Sequence, residues 1–165
     1  MSCSFDPQVL QCKAAVSDTC LTAGEVETAR AFYSGPTTRD GEPSFYGWLP
    51  GSEMPDAFGW SFLQKPVNDQ PAFGSLFKWV FGAEWNWRGF DFDRDMPVVD
   101  QGLDAIVNDA TRGSLADYAA RGGKLIVFHG LADTLVPPGQ SVDFFERHAA
   151  QMGGASALAE NARLF

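Results

Sequence analysis

Val26, Ala29, Phe32 and Tyr33 recur at helical spacing behind Thr22-Ala23-Gly24-Glu25, which has the form of a capping box. Gly35-Pro36 supplies a stop, so the pattern predicts a helix from about Ala23 to Tyr33. From Gly35 to about Phe73 the periodicity disappears. Turn residues (Asp40-Gly41-Glu42-Pro43, Leu49-Pro50-Gly51-Ser52, Met54-Pro55) are interleaved there with Phe45, Tyr46, Trp48, Phe58, Trp60 and Phe62. That mixture predicts an ordered, loop-rich region of the kind used as lids and binding loops. Ser75 to Gly82 reads as a short helix, apolar nearly all round and hence expected to be buried. Trp85 to Asp93 alternates aromatic and polar residues, which predicts a strand or an extended stretch.

The last third is more regular. Leu115 to Ala120 reads as a turn or two of helix, ended by Arg121-Gly122-Gly123. Lys124-Leu125-Ile126-Val127-Phe128-His129 is a nearly continuous apolar run, the pattern of a parallel strand buried on both faces. A loop from Gly130 to Pro138 follows. Gln140 to Met152 is amphipathic, with Val142, Phe144, Phe145, His148, Ala149 and Met152 on its inner side. Arg163-Leu164-Phe165 has the look of the next strand, so strand, loop and helix form half of an α/β repeat.

Composition and charge narrow what this arrangement can do. The chain has 165 residues, 45% hydrophobic and 20% charged, enough for one domain with a sizeable core. Twelve Lys and Arg against 21 Asp and Glu leave a net charge of −9, which argues against a nucleic-acid partner. No run of 18 apolar residues exists to span a membrane, and the first residues lack the pattern of a signal peptide. Aromatic residues make up 13% of the chain, compatible with a site for ring-bearing small molecules.

Three cysteines, Cys3, Cys12 and Cys20, lie in the first twenty residues. They could be free thiols; a metal site is disfavoured because their spacing fits no short zinc pattern. Their clustering favours an oxidised segment, and closing Cys12 to Cys20 would restrict the unfolded chain by roughly 2–3 kcal/mol. One thiol is then left over, which suggests an incomplete chain.

The chemistry concentrates after the apolar strand, in His129-Gly130-Leu131-Ala132-Asp133-Thr134-Leu135-Val136-Pro137-Pro138. Functional groups in open α/β sheets collect outside the carboxyl ends of the strands. A carboxylate at Asp133 can there accept the Nδ1–H of a histidine brought in by a later loop, fixing its tautomer and stabilising the imidazolium. Asp133 could equally be a turn or capping aspartate. His129 and His148 read as structural residues, so a general base is missing. No serine stands in a Gly-x-Ser-x-Gly elbow between strand and helix, so a nucleophile is missing too.

Two separated motifs resemble the tannase and feruloyl esterase family of α/β-hydrolases. One is Cys3-Ser4-Phe5-Asp6-Pro7 with Leu10-Gln11-Cys12 and Cys20-Leu21-Thr22; the other runs from Gly122 through His129 and Asp133 to Pro137-Pro138 and Val142 to Arg147. The resemblance implies an α/β fold. It would be a partial α/β-hydrolase, with one late strand–loop–helix unit (108–165) preceded by most of an irregular, aromatic-rich lid domain (1–107). It places Asp133 on the triad acid and Cys12 and Cys20 on a lid disulfide. Cys3 matches a cysteine whose partner lies upstream, beside a calcium-binding loop this chain lacks, so no cofactor is expected within the segment itself.

The nucleophilic serine is likewise expected upstream, and the catalytic histidine shortly after Phe165. The implied function is that of an internal fragment of a secreted or periplasmic serine-type carboxylic ester hydrolase. It would act on small aromatic esters, feruloyl or galloyl, with no nucleic-acid or membrane partner, and would be inactive alone. The rival readings are a non-catalytic module that binds phenolic ligands and a complete small hydrolase of dienelactone type.

Overall fold

A computed structural model describes residues 5–54, 59–60, 74–107 and 113–165. Cys3, Phe58 and the stretch from Phe62 to Phe73 lie outside the described residues. The order of elements is a 3-10 turn (Pro7–Leu10), α1 (Ala23–Ser34), α2 (Gly74–Phe81), a second 3-10 turn (Trp87–Gly89), α3 (Phe92–Val107), α4 (Ala116–Ala120), β1 (Leu125–Val127), α5 (Gly139–Gln151), α6 (Ala155–Ala159) and β2 (Ala162–Leu164).

α1 begins where the capping box lies. The Glu25 amide donates to the Thr22 hydroxyl at 3.3 Å and the Thr22 amide donates to the Glu25 carboxylate at 2.7 Å, so two otherwise orphaned donors are satisfied. The helix ends at Gly35, whose φ of 77° suits a residue without a Cβ. Val26 is buried, and Phe32 carries the aromatic packing: it stacks on Trp60 at 4.7 Å and meets Trp48 at 5.5 Å. Ahead of the helix, Cys12 and Cys20 form a disulfide across a short bridge between Gln11 and Leu21.

The chain then doubles back over the end of α1. A Cβ on Gly35 would stand 2.6 Å from the Gly47 nitrogen, and one on Gly47 would collide with the Tyr33 carbonyl. Only glycine permits this crossing, which carries Tyr46 and Trp48 past the end of α1. The Trp48 amide is fixed by the Phe32 carbonyl at 3.0 Å.

The alternating stretch from Trp85 to Asp93 is not a strand. Asn86 accepts from the Arg88 amide at 3.0 Å and nucleates the 3-10 turn, while Asp91 accepts from the Arg94 amide at 3.1 Å at the head of α3. Its aromatics do not alternate between two faces. Trp85 and Phe90 both pack on Phe77 of α2, at 5.1 and 5.4 Å, so tertiary clustering produced the apparent period of two. α3 itself escaped the pattern reading because Pro97 interrupts it. Asp93 and Asp95 favour its positive N-terminal end, and Gly102 lets it approach Val80 of α2. The expectation that α2 is buried all round fails at Trp79, which is 70% exposed.

In the last third, β1 pairs in parallel with β2, Leu125 opposite Ala162 and Val127 opposite Leu164. α5 and α6 connect the two strands, pack on one another and both touch β2, with Leu158 and Ala162 buried between them. The expectation of a strand buried on both faces fails: Ile126 is 69% and Phe128 82% exposed. The pair β1–β2 is a two-stranded sheet, and no described residue covers that face of β1. Val142, expected on the inner side of α5, is also exposed, whereas His148 is buried.

Replacing Thr22 by Ala removes one side of the capping box and is expected to cost about 1 kcal/mol of stability. A urea titration should show a lower midpoint at unchanged slope; an unchanged midpoint would mean that the cap does not limit α1.

Candidate active site

The parallel pairing decides where the loop after β1 goes. The Phe165 amide donates to the Val127 carbonyl at 3.0 Å and the His129 amide to the Phe165 carbonyl at 3.1 Å, so the ladder runs on to His129 and releases the chain there. Gly130 to Pro138 therefore starts at the carboxyl end of a parallel strand, and Pro137-Pro138 leads directly into α5.

Asp133 closes this loop upon itself. Its amide donates to the Gly130 carbonyl at 3.0 Å, and its Oδ1 accepts the Leu135 amide at 2.8 Å and the Val136 amide at 3.0 Å. Oδ2 lies 3.5 Å from His129 Nε2, and the side chain keeps 37% of its surface exposed. One carboxylate oxygen is thus held by local amides, while the other lies beside His129 on a side chain that stays partly exposed. Burial pushes the carboxyl pKa up, but the amides of Val136 and Leu135, with His129, outweigh it and hold the group below its usual range.

His129 braces the same loop. Its Nε2 donates to the Val136 carbonyl at 2.9 Å, which fixes the proton on that nitrogen, and its Nδ1 is 2.7 Å from the Ser141 hydroxyl of α5. His148 packs edge-on against Phe144 at 4.3 Å, with Nδ1 3.2 Å from Gln151 Oε1. Each of the chain's two histidines is therefore engaged in local structure.

The aromatic region reaches this loop from the other end of the chain. Trp48 donates its indole N–H to the Thr134 carbonyl at 2.9 Å, across 86 positions of sequence. Two residues earlier, Tyr46 packs so closely on Gly139 that a Cβ there would stand 2.7 Å from its ring. Burial, reinforced by a hydrogen bond to Asp143, pushes the Tyr46 phenol up to about 12. Neither contact has a local signal in the sequence; the aromatic richness of the segment was the only hint. A cleft of about 820 Å³ opens between this arm and α5, lined by Phe45, Tyr46, Val136, Ser141 and Arg147 among others. It reaches the Asp133 loop at Val136, but Asp133 itself does not line it. Among the described residues, no group of three or more His, Cys, Asp or Glu could hold a metal ion.

A family model described as tannase and feruloyl esterase matches residues 1–165. The chain belongs to the tannase and feruloyl esterase family. An uncharacterised esterase of Xanthomonas campestris is 31% identical over 90% of the chain and 28% of its own length. A probable feruloyl esterase B-2 of Aspergillus flavus is 29% identical over 96% of the chain and 30% of its own length. The crystal structure of feruloyl esterase B from Aspergillus oryzae superposes with a TM-score of 0.78 at 24% identity, covering 96% of this chain and 32% of that one. The chain shares the fold of the part it matches, and it spans under a third of these relatives.

Because its folded-state pKa is lowered, the Asp133 carboxylate adds stability above the ordinary aspartate pKa, and that contribution is lost as pH falls through the folded value. Asp133→Asn should therefore destabilise the chain at neutral pH, with the difference from wild type closing in acid. Parallel thermal melts across that range check it, and a gap that widens in acid would reverse the sign assigned here.

Proposed function

We propose that this chain is part of a serine-type carboxylic ester hydrolase and that Asp133 is the acid of its Ser–His–Asp triad. The observation that carries the reading is the divided carboxylate at the carboxyl end of β1: Oδ1 is held by two amides, while Oδ2 accepts neither and belongs to a side chain that is 37% exposed. A carboxylate so fixed can orient an imidazole and stabilise the imidazolium formed when that ring takes a proton from serine. Serine oxygen then attacks the ester carbonyl, the alcohol leaves with the proton, and water releases the acid from the acyl-enzyme. The serine and the catalytic histidine come from parts of the protein outside this chain.

In this reading residues 1–107 belong to the lid and 108–165 to the catalytic domain. The substrates are small esters of aromatic acids, feruloyl or galloyl. The aromatic character of the lid arm and the names of the family relatives support that choice. Calcium, where the whole enzyme binds it, is held by a loop outside this segment. The protein is secreted or periplasmic, a placement supported by the Cys12–Cys20 disulfide, since such bonds persist in oxidising compartments.

Loss of the orienting carboxylate from a triad costs about 10⁴ in turnover. Asp133→Asn in the full-length enzyme should lower kcat for methyl ferulate by about that factor, while the isolated 165-residue chain should not hydrolyse it at all. Near wild-type turnover by the variant removes Asp133 from the triad, and saturable hydrolysis by the isolated chain removes the need for an outside nucleophile.

A further inference from the structure

We propose that Trp48 is a positioning residue for the triad carboxylate, acting through the peptide group that joins Thr134 to Leu135. The inference rests on the reading of Asp133 as the triad acid. The described peptide bonds are trans, so the Thr134 carbonyl and the Leu135 N–H point in opposite directions across one rigid plane. The Trp48 indole donates to that carbonyl at 2.9 Å, and the N–H on the other side donates to Asp133 Oδ1 at 2.8 Å. Rotation of the plane about the chain would move both contacts together. The indole therefore sets the direction from which Leu135 holds the carboxylate and, together with the Val136 amide, the orientation of the carboxylate plane. A donor on the carbonyl also polarises the amide and strengthens its N–H as a donor.

Trp48 can serve as a fixed post because it is itself immobilised. Its ring packs on Phe32, its amide is bound to the Phe32 carbonyl at 3.0 Å, and the glycine crossing of Gly35 and Gly47 sets its approach. Thr134 is 4% exposed, so the contact is made away from bulk water. The other end of the arm is anchored separately, by Tyr46 against Gly139 and Asp143. The arm thus grips the segment on both sides of Val136, and of its two grips the Trp48 contact is the one made to a peptide that holds the carboxylate.

In the full-length esterase, Trp48→Phe keeps an aromatic ring on Phe32 and deletes the donor. For methyl ferulate, kcat should fall about ten- to hundredfold, the scale of a misplacement of roughly 1 Å, with KM nearly unchanged. The decisive readout is the acid limb of kcat/KM. An ionised carboxylate against imidazole raises the histidine pKa, so loosening that pairing lowers it and moves the limb to lower pH. A limb that stays in place, whatever happens to kcat, overturns the proposal. β-(3-benzothienyl)alanine at position 48 keeps the bicyclic volume without the N–H; it must shift the limb in the same sense and decides the matter where Trp48→Phe fails to fold. Asp133→Asn run alongside separates the two ideas. If it retains activity, the triad reading fails; if it loses activity while the position-48 variants keep the wild-type limb, only the role of Trp48 fails.

Discussion

Two backbone N–H groups converge on one oxygen of Asp133, and this short turn organises the end of the chain. A carboxylate that accepts two amides at 2.8 and 3.0 Å has lost its freedom about χ1 and χ2, and its second oxygen can point in only one general direction. The turn forms because the parallel ladder releases the chain at His129, four residues before Asp133. His129 then holds the far side of the turn through the Val136 carbonyl and ties it to α5 through Ser141. The histidine beside the carboxylate is thereby committed to structure.

The aromatic region is coupled to this turn rather than laid loosely beside it. Its own order comes from stacked rings (Phe32, Trp48 and Trp60, with Tyr33 edge-on to Trp60), which bury area at little cost in rotamer freedom. Two glycines that admit no Cβ let the backbone cross the end of α1 and bring Tyr46 and Trp48 against the segment that follows β1. An arm built in this way is a rigid bracket for the loop that follows β1. Arg39, bound to Asp91 at 3.1 Å and through its amide to Asp93, ties the same arm to the head of α3.

Much of the helical framework was legible in the residues. Thr22 and Glu25 signal a helix start by a mechanism confined to four positions, and Gly35 signals its end. Gln140 to Met152 reads correctly as a helix because its polar and apolar faces are set by one local period. The misreadings have a common cause. Trp85 to Asp93 imitates a strand because aromatic residues that gather in a three-dimensional cluster happen to fall at alternate positions. Leu125 to Phe128 imitates a doubly buried strand because its apolar run reports what the strand is built to contact, whereas Ile126 and Phe128 are exposed.

By itself the sequence determined the capped helix, the strand–loop–helix unit, the candidate acid at Asp133 and the family resemblance, because each depends on residues within a few positions of one another or on a motif read in order. Tertiary structure alone decided that an indole from position 48 meets a carbonyl at position 134 and that Tyr46 packs on Gly139. Such contacts join segments whose spacing along the chain carries no period. They exist only once the aromatic stack and the glycine crossing have brought the two segments together.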